Sequence, residues 1–204
     1  MTPDSLIVIR AGATDYEQQG RIRGAVDIPL CAAGIAEAEH AAALLTGQPV
    51  VALYTAKEGC AVETGRIIGQ ALGLKPRGVA DLQNLHQGLW QGMLVEEIRR
   101  KQPRLYRQWQ DNPWAVAPPE GELLEEACER VEAAIERLFR RHGEGRVALV
   151  VPEPIDRIVR WLVAGESMGD LWARDPHGEP LAEIPVATQW AGKRPSGRRQ
   201  PTPI

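Results

Sequence analysis

The sequence predicts an α/β protein, a three-layer α/β/α sandwich around a mostly parallel sheet. Three observations point there. Short apolar runs rich in β-branched residues occur at Leu6–Ile9, Pro49–Tyr54 and Arg146–Val151, and they read as buried strands. Stretches with helical spacing separate and follow these runs, which favours parallel strands with helices on both faces. No internal repeat and no Gly/Ser-rich linker breaks the chain, so residues 1–190 are expected to form one domain.

The elements follow in order. Leu6–Ile9 stops at a glycine-bearing loop. Cys31–Leu45 is alanine-rich, with Ile35, Ala38, Ala42 and Leu45 at helical spacing and Gly47 as a stop. After the second strand, Ala61–Leu72 places Ile67, Ile68, Ala71 and Leu72 on one helix face, with Gly73 just beyond. Gly92–Trp109 is helical in spacing, but Pro103 divides or kinks it. Glu122–Arg141 has the strongest helical pattern, with acids near its start and Arg140 and Arg141 near its end, which suits the helix dipole. Arg146–Val151 is the third strand. Ile155–Val163 is a short amphipathic helix, and Ala182–Thr188 alternates weakly as a last strand. In such a sheet the ligand crevice lies beyond the carboxyl ends of the strands, which is where Arg10 and Pro152 fall.

Composition excludes some classes. The 204 residues are 44% hydrophobic and 25% charged with a net charge of -3, so neither nucleic acid nor an acidic membrane is the expected partner. No apolar stretch approaches membrane-spanning length, and no signal sequence is visible, so a cytoplasmic protein is expected. Cys31, Cys60 and Cys128 are odd in number and widely spaced, against a disulfide framework or a metal finger. Residues 191–204 form a basic, proline-containing tail that reads as disordered.

The segment LIVIRAGATDYEQQGRIRG, Leu6–Gly24, resembles the N-terminal motif of the histidine phosphatase superfamily, the phosphoglycerate mutase-like proteins: an apolar strand, then R-H-G-x-T, then G-R-x-x-G. The likeness continues in order. It covers VDIPLCAAG (Val26–Gly34), YTAKEGCAVET (Tyr54–Thr64), LQNLHQGLWQG (Leu82–Gly92), PPEGE (Pro118–Glu122) and ALVVPE (Ala148–Glu153), over about 160 residues. The resemblance implies a phosphoglycerate mutase-like fold. It also implies a reaction in which one histidine attacks phosphorus, two arginines and a second histidine surround the phosphoryl oxygens, and an acid protonates the leaving group.

Carried over position by position, that set is degenerate. Arg10 matches the first arginine. Ala11 replaces the nucleophilic histidine, Cys60 the second arginine, Asn84 the proton-donating glutamate and Glu153 the second histidine. Alanine offers no lone pair and asparagine no titratable proton. A thiol has no fixed positive charge, and Glu153 adds negative charge where a phosphate would sit. No catalytic residue is therefore expected to work. Losing one preorganised electrostatic group costs about a hundredfold or more in rate, and losing the nucleophile removes nearly all of it. The residues expected to shape a ligand pocket are Arg10, Gly12, Thr14, Arg21, His86 and Glu153, and Arg10 is expected to pair with Glu153. Trp90, Trp109 and Trp114 are expected to pack rather than recognise ligand.

The reading is a catalytically inactive histidine-phosphatase-fold protein that binds a small ligand or a protein. The alternatives are an active phosphomonoester phosphatase or mutase with a rearranged site, using His86 or Cys60, and a different hydrolase using Glu153 as base. No cofactor or metal is expected, although Cys60, His86 and Glu153 are admissible ligand types. A homodimer is possible for a domain of this kind.

Overall fold

The computed structural model describes residues 2–169, 171–172 and 179–186. Within them a five-stranded sheet has the order β3-β2-β4-β1-β5. Strand β1 is Ser5–Arg10, β2 Val50–Thr55, β3 Arg77–Gly78, β4 Arg146–Val151 and β5 Leu181–Pro185. The pairs β1·β4, β2·β4 and β2·β3 are parallel, and only the β5 edge is antiparallel. The central strands are buried on both faces, which is why they read as continuous apolar runs without alternation.

The helices are α1 Asp15–Gln18, α2 Ala32–Leu45, α3 Gly59–Leu72, α4 Val95–Lys101, α5 Pro103–Asp111, α6 Leu124–Arg141 and α7 Ile155–Ala164. From β1 the chain crosses to β2 and then β3 toward one edge, and from there it returns to β4 and β5. Right-handed crossovers between the parallel strands therefore put α2 and α3 on one face and α6 on the other, where α7 joins it. The packing agrees, with α2 against α3 and α6 against α7.

Pro103 does divide the helical stretch: α4 ends at Lys101 and α5 begins with the proline at its first position, where a missing N–H costs nothing. Gly73 caps α3 at φ 67° in the left-handed region. Two expectations need correction. Ile35 is 43% exposed; the buried stripe of α2 is Gly34, Ala38, Ala41, Ala42 and Leu45. α3 also begins two residues early, at Gly59, so Cys60 stands in a first helical turn. The brief α1 and β3 have too few residues to show a period in sequence. The tail at 191–204 and the end of the run Ala182–Thr188 lie outside the described residues. Among the described residues no helix is long and apolar enough to cross a membrane.

Candidate functional site

The parallel register of β1 and β4 sets Arg10 beside Val151, and the Ala11 amide donates to the Val151 carbonyl at 2.8 Å. Ala11 and Glu153 thus leave neighbouring strands at the same end of the sheet. Ala11 is 6% exposed and its methyl belongs to the main apolar core. The next amide, Gly12, donates to Thr64 Oγ1 at 3.0 Å, and that hydroxyl donates to the Cys60 carbonyl at 2.8 Å. These bonds tie the loop after β1 to the start of α3. A Cβ on Gly12 would lie 2.3 Å from the Gly34 carbonyl oxygen, so α2 can approach only a glycine here. Thr14 is fully buried and caps α1, its backbone and hydroxyl both bonded to Glu17 Oε2. Gly12 and Thr14 hold the loop in shape.

Beyond the strand ends lies a cavity of about 230 Å³. Arg21, Arg23, Asn84, Gln87, Glu17 and Glu153 give it its polar wall, and Trp109 and Trp172 part of its apolar one. Of the residues expected at a pocket, Arg21 and Glu153 line it, whereas Arg10, Gly12, Thr14 and His86 are not on its wall. His86 is exposed on its loop, where Nδ1 accepts from the Gly88 amide at 3.2 Å.

Arg23 is the residue that sequence reasoning missed. Its side chain is 7% exposed, its Nη1 lies 3.2 Å from Cys60 Sγ, and the same nitrogen pairs with Glu17 Oε1 at 3.3 Å. A second arginine between loop glycines, two residues after Arg21, was the available signal. Arg23 brings a guanidinium to the place where position 60 has only a thiol. Burial pushes the Cys60 thiol up to about 11; Arg23 opposes the shift, and Glu58 and Glu17 add to it. Cys60 is therefore a protonated, fully buried thiol near neutral pH, inside a helix, and lacks the character of a nucleophile.

Asn84 is buried, its backbone amide donating to Glu58 Oε1 and its own Oδ1 accepting from the Leu85 amide. Burial raises the Glu58 carboxyl above its usual range against the pull of the Asn84 amide, Arg23 and Arg130, and its Oε2 has no hydrogen-bond partner among the described residues. Glu153 is held at 2.9 Å by Arg157, one helical turn on, because α7 starts directly after it. The ion pair found at Glu153 is thus with Arg157, where Arg10 was expected. Arg10 acts on the neighbouring Asp156, which burial and the Glu153 charge push up to about 6 while Arg157 and Arg10 draw it down.

His40 is exposed on α2, and His142 bonds to Tyr54 Oη at 2.8 Å. Neither reaches the cavity, and His177 lies outside the described residues. Among the described residues no group of three His, Cys, Asp or Glu side chains could hold a metal ion, so Cys60, His86 and Glu153 do not assemble into one. Trp90 and Trp109 are buried in a second apolar cluster with Ile98 and Tyr106, and Trp114 packs edge-on to Trp161. Trp109 also stacks on Trp172 at 3.8 Å, and this pair faces the cavity as well as the core.

Known proteins share this architecture. One relative, phosphoserine phosphatase 1 of Hydrogenobacter thermophilus, is 26% identical over 168 residues, covering 82% of this chain and 80% of its own length. The solved structure of YhfR from Bacillus stearothermophilus superimposes with a TM-score of 0.81 at 25% identity, covering 90% of this chain and 92% of that one. The α-ribazole phosphatase of Shigella flexneri has a TM-score of 0.77 at 21% identity over 91% and 92% of the two chains, a likeness of fold alone. The family model of the histidine phosphatase superfamily, branch 1, matches residues 6–184. The chain belongs to the histidine phosphatase superfamily, branch 1.

Proposed function

We propose that this protein uses the phosphatase scaffold to bind rather than to transfer phosphoryl groups. The observation that carries the reading is the chemistry at the ends of β1 and β4. A core-packed methyl at Ala11 and a carboxylate at Glu153 stand where the resemblance implies two imidazoles. A carboxylate beside an incoming phosphoryl group raises the barrier, because like charges at close range in a partly dry cleft repel by several kcal/mol. The other two altered positions do not offset this. Cys60 is a neutral thiol, and Asn84 has no titratable proton, its Oδ1 accepting from the Leu85 amide. Arg23 restores one positive charge but no nucleophile.

The test is turnover of para-nitrophenyl phosphate by the purified protein. The rate is expected to match buffer alone. Turnover that disappears on His86→Ala, Cys60→Ala, His177→Ala or Glu153→Gln would overturn the reading and identify the group responsible.

A further inference from the structure

The polar groups that line the cavity describe the ligand it suits. Among the described residues Arg23 meets Cys60 and Glu17 through Nη1, and neither Nε nor Nη2 is a fully buried orphan, so both donors stay open to the cavity on a side chain that is only 7% exposed. A planar carboxylate can meet two such open guanidinium donors at once in matching geometry. Arg21 donates Nε to Gln19 and Nη1 to the Gly92 carbonyl at 2.6 Å, which keeps its charge at the cavity wall. The same wall also carries acceptors. Gln87 Oε1 is buried with no donor among the described residues, and Glu153 presents a carboxylate that shares one oxygen with Arg157.

Charge then discriminates between ligands. Among the described residues of the lining, Arg21 and Arg23 are balanced by Glu17 and Glu153. A doubly charged phosphate monoester would put excess negative charge against this balanced set, next to Glu153. A zwitterion adds none and offers each charge its opposite. Size narrows the class further: about 230 Å³ is below the roughly 300–1,000 Å³ typical of sites for drug-sized molecules. The stacked Trp109–Trp172 pair supplies a flat apolar wall for a side chain.

We propose that the cavity binds a free α-amino acid with an apolar side chain, its carboxylate on Arg23, its ammonium on Glu153 and Gln87, and its side chain against Trp109 and Trp172. This rests on the reading that the cleft binds without phosphoryl transfer.

The experiment is isothermal titration of the full chain at pH 7.5 with L-leucine, L-phenylalanine, L-phenylalanine amide, L-phenyllactate and inorganic phosphate. Saturable binding of leucine or phenylalanine is expected, with the amide, which lacks the carboxylate, and phenyllactate, which lacks the ammonium, each weaker by about tenfold or more. Arg23→Gln is expected to weaken the amino acid by a similar factor, and Arg23→Lys to fail to restore it, because a point charge cannot bridge both carboxylate oxygens. Should Arg23→Gln not fold, the comparison of the amino acid with its amide on the unaltered protein decides alone. No binding by either amino acid, equal binding of the amide or phenyllactate, or tighter binding of phosphate overturns the proposal. Those results leave the inactive reading standing, which only turnover of a phosphate ester removes.

Discussion

Asp156 is the side chain whose charge fits its place least well. It is 9% exposed, its Oδ1 has no hydrogen-bond partner among the described residues, and Glu153 stands nearby with the same sign. Its folded value of about 6 lies above its ordinary 3.8. The folded state therefore holds a proton that the unfolded chain has already released between those values. The stability this gives is complete below pH 3.8 and is lost as the pH rises through 6, amounting to roughly 3 kcal/mol. Asp156→Asn is expected to be more stable than the unaltered protein at pH 7.5 in urea unfolding, with the gain gone by pH 4. A gain that is equal at both pH values would show that the charge is not the cause. Such a group was not legible in sequence, since Asp156 reads there as an ordinary first-turn acid of α7. Ala11 and Glu153 were legible, because each follows directly on an apolar strand whose end the sequence marks. Arg23 was not, because its value comes from Cys60 and Glu17, which only folding brings to it.

The long helix α6 does more than cover the sheet. Its Arg130 reaches the loop after β3 and donates to the carbonyls of Asp81 and Gln83 at 2.8 Å and of Asn84 at 3.1 Å, while Glu122 holds the same guanidinium at 2.5 Å. This one side chain anchors the loop that presents Asn84 and Gln87 to the cavity. Charge-assisted hydrogen bonds contribute about 1.5–3 kcal/mol each and do not add fully, so Arg130→Ala is expected to cost about 3 kcal/mol in urea unfolding. Arg130→Lys should recover less than half of that, because an ammonium cannot span three carbonyls. A cost below 1 kcal/mol for Arg130→Ala would show the loop to be held by its own packing. The periodicity of α6 was plain in sequence, since Ala127, Val131, Ala134, Ile135 and Leu138 all face the core. Arg130 lies off that stripe and reads as a solvated charge, and the carbonyls it holds are more than forty residues away.

The described residues form two apolar clusters of unequal strength. The larger is built on β1, β2 and β4 with α6 and α7; the smaller joins Trp90, Ile98, Tyr106 and Trp109 around α4 and α5. α4 and α5 pack chiefly on each other, and Trp172 is the partly buried side chain packed against both clusters. The cavity therefore sits where the strong unit meets the weak one, with Trp109 and Trp172 on its wall. Local opening takes the least free energy where few apolar contacts must break, so the two units are expected to open separately. Amide hydrogen exchange should be slowest in β1 and β4, buried on both faces, and at least about tenfold faster in α4 and α5. A ligand seated on the Trp109–Trp172 pair would have to hold the smaller unit closed, slowing exchange in α5 while β4 keeps its rate. Equal protection across both units without ligand would make the molecule one cooperative body and remove any route by which filling the cavity changes its outer surface.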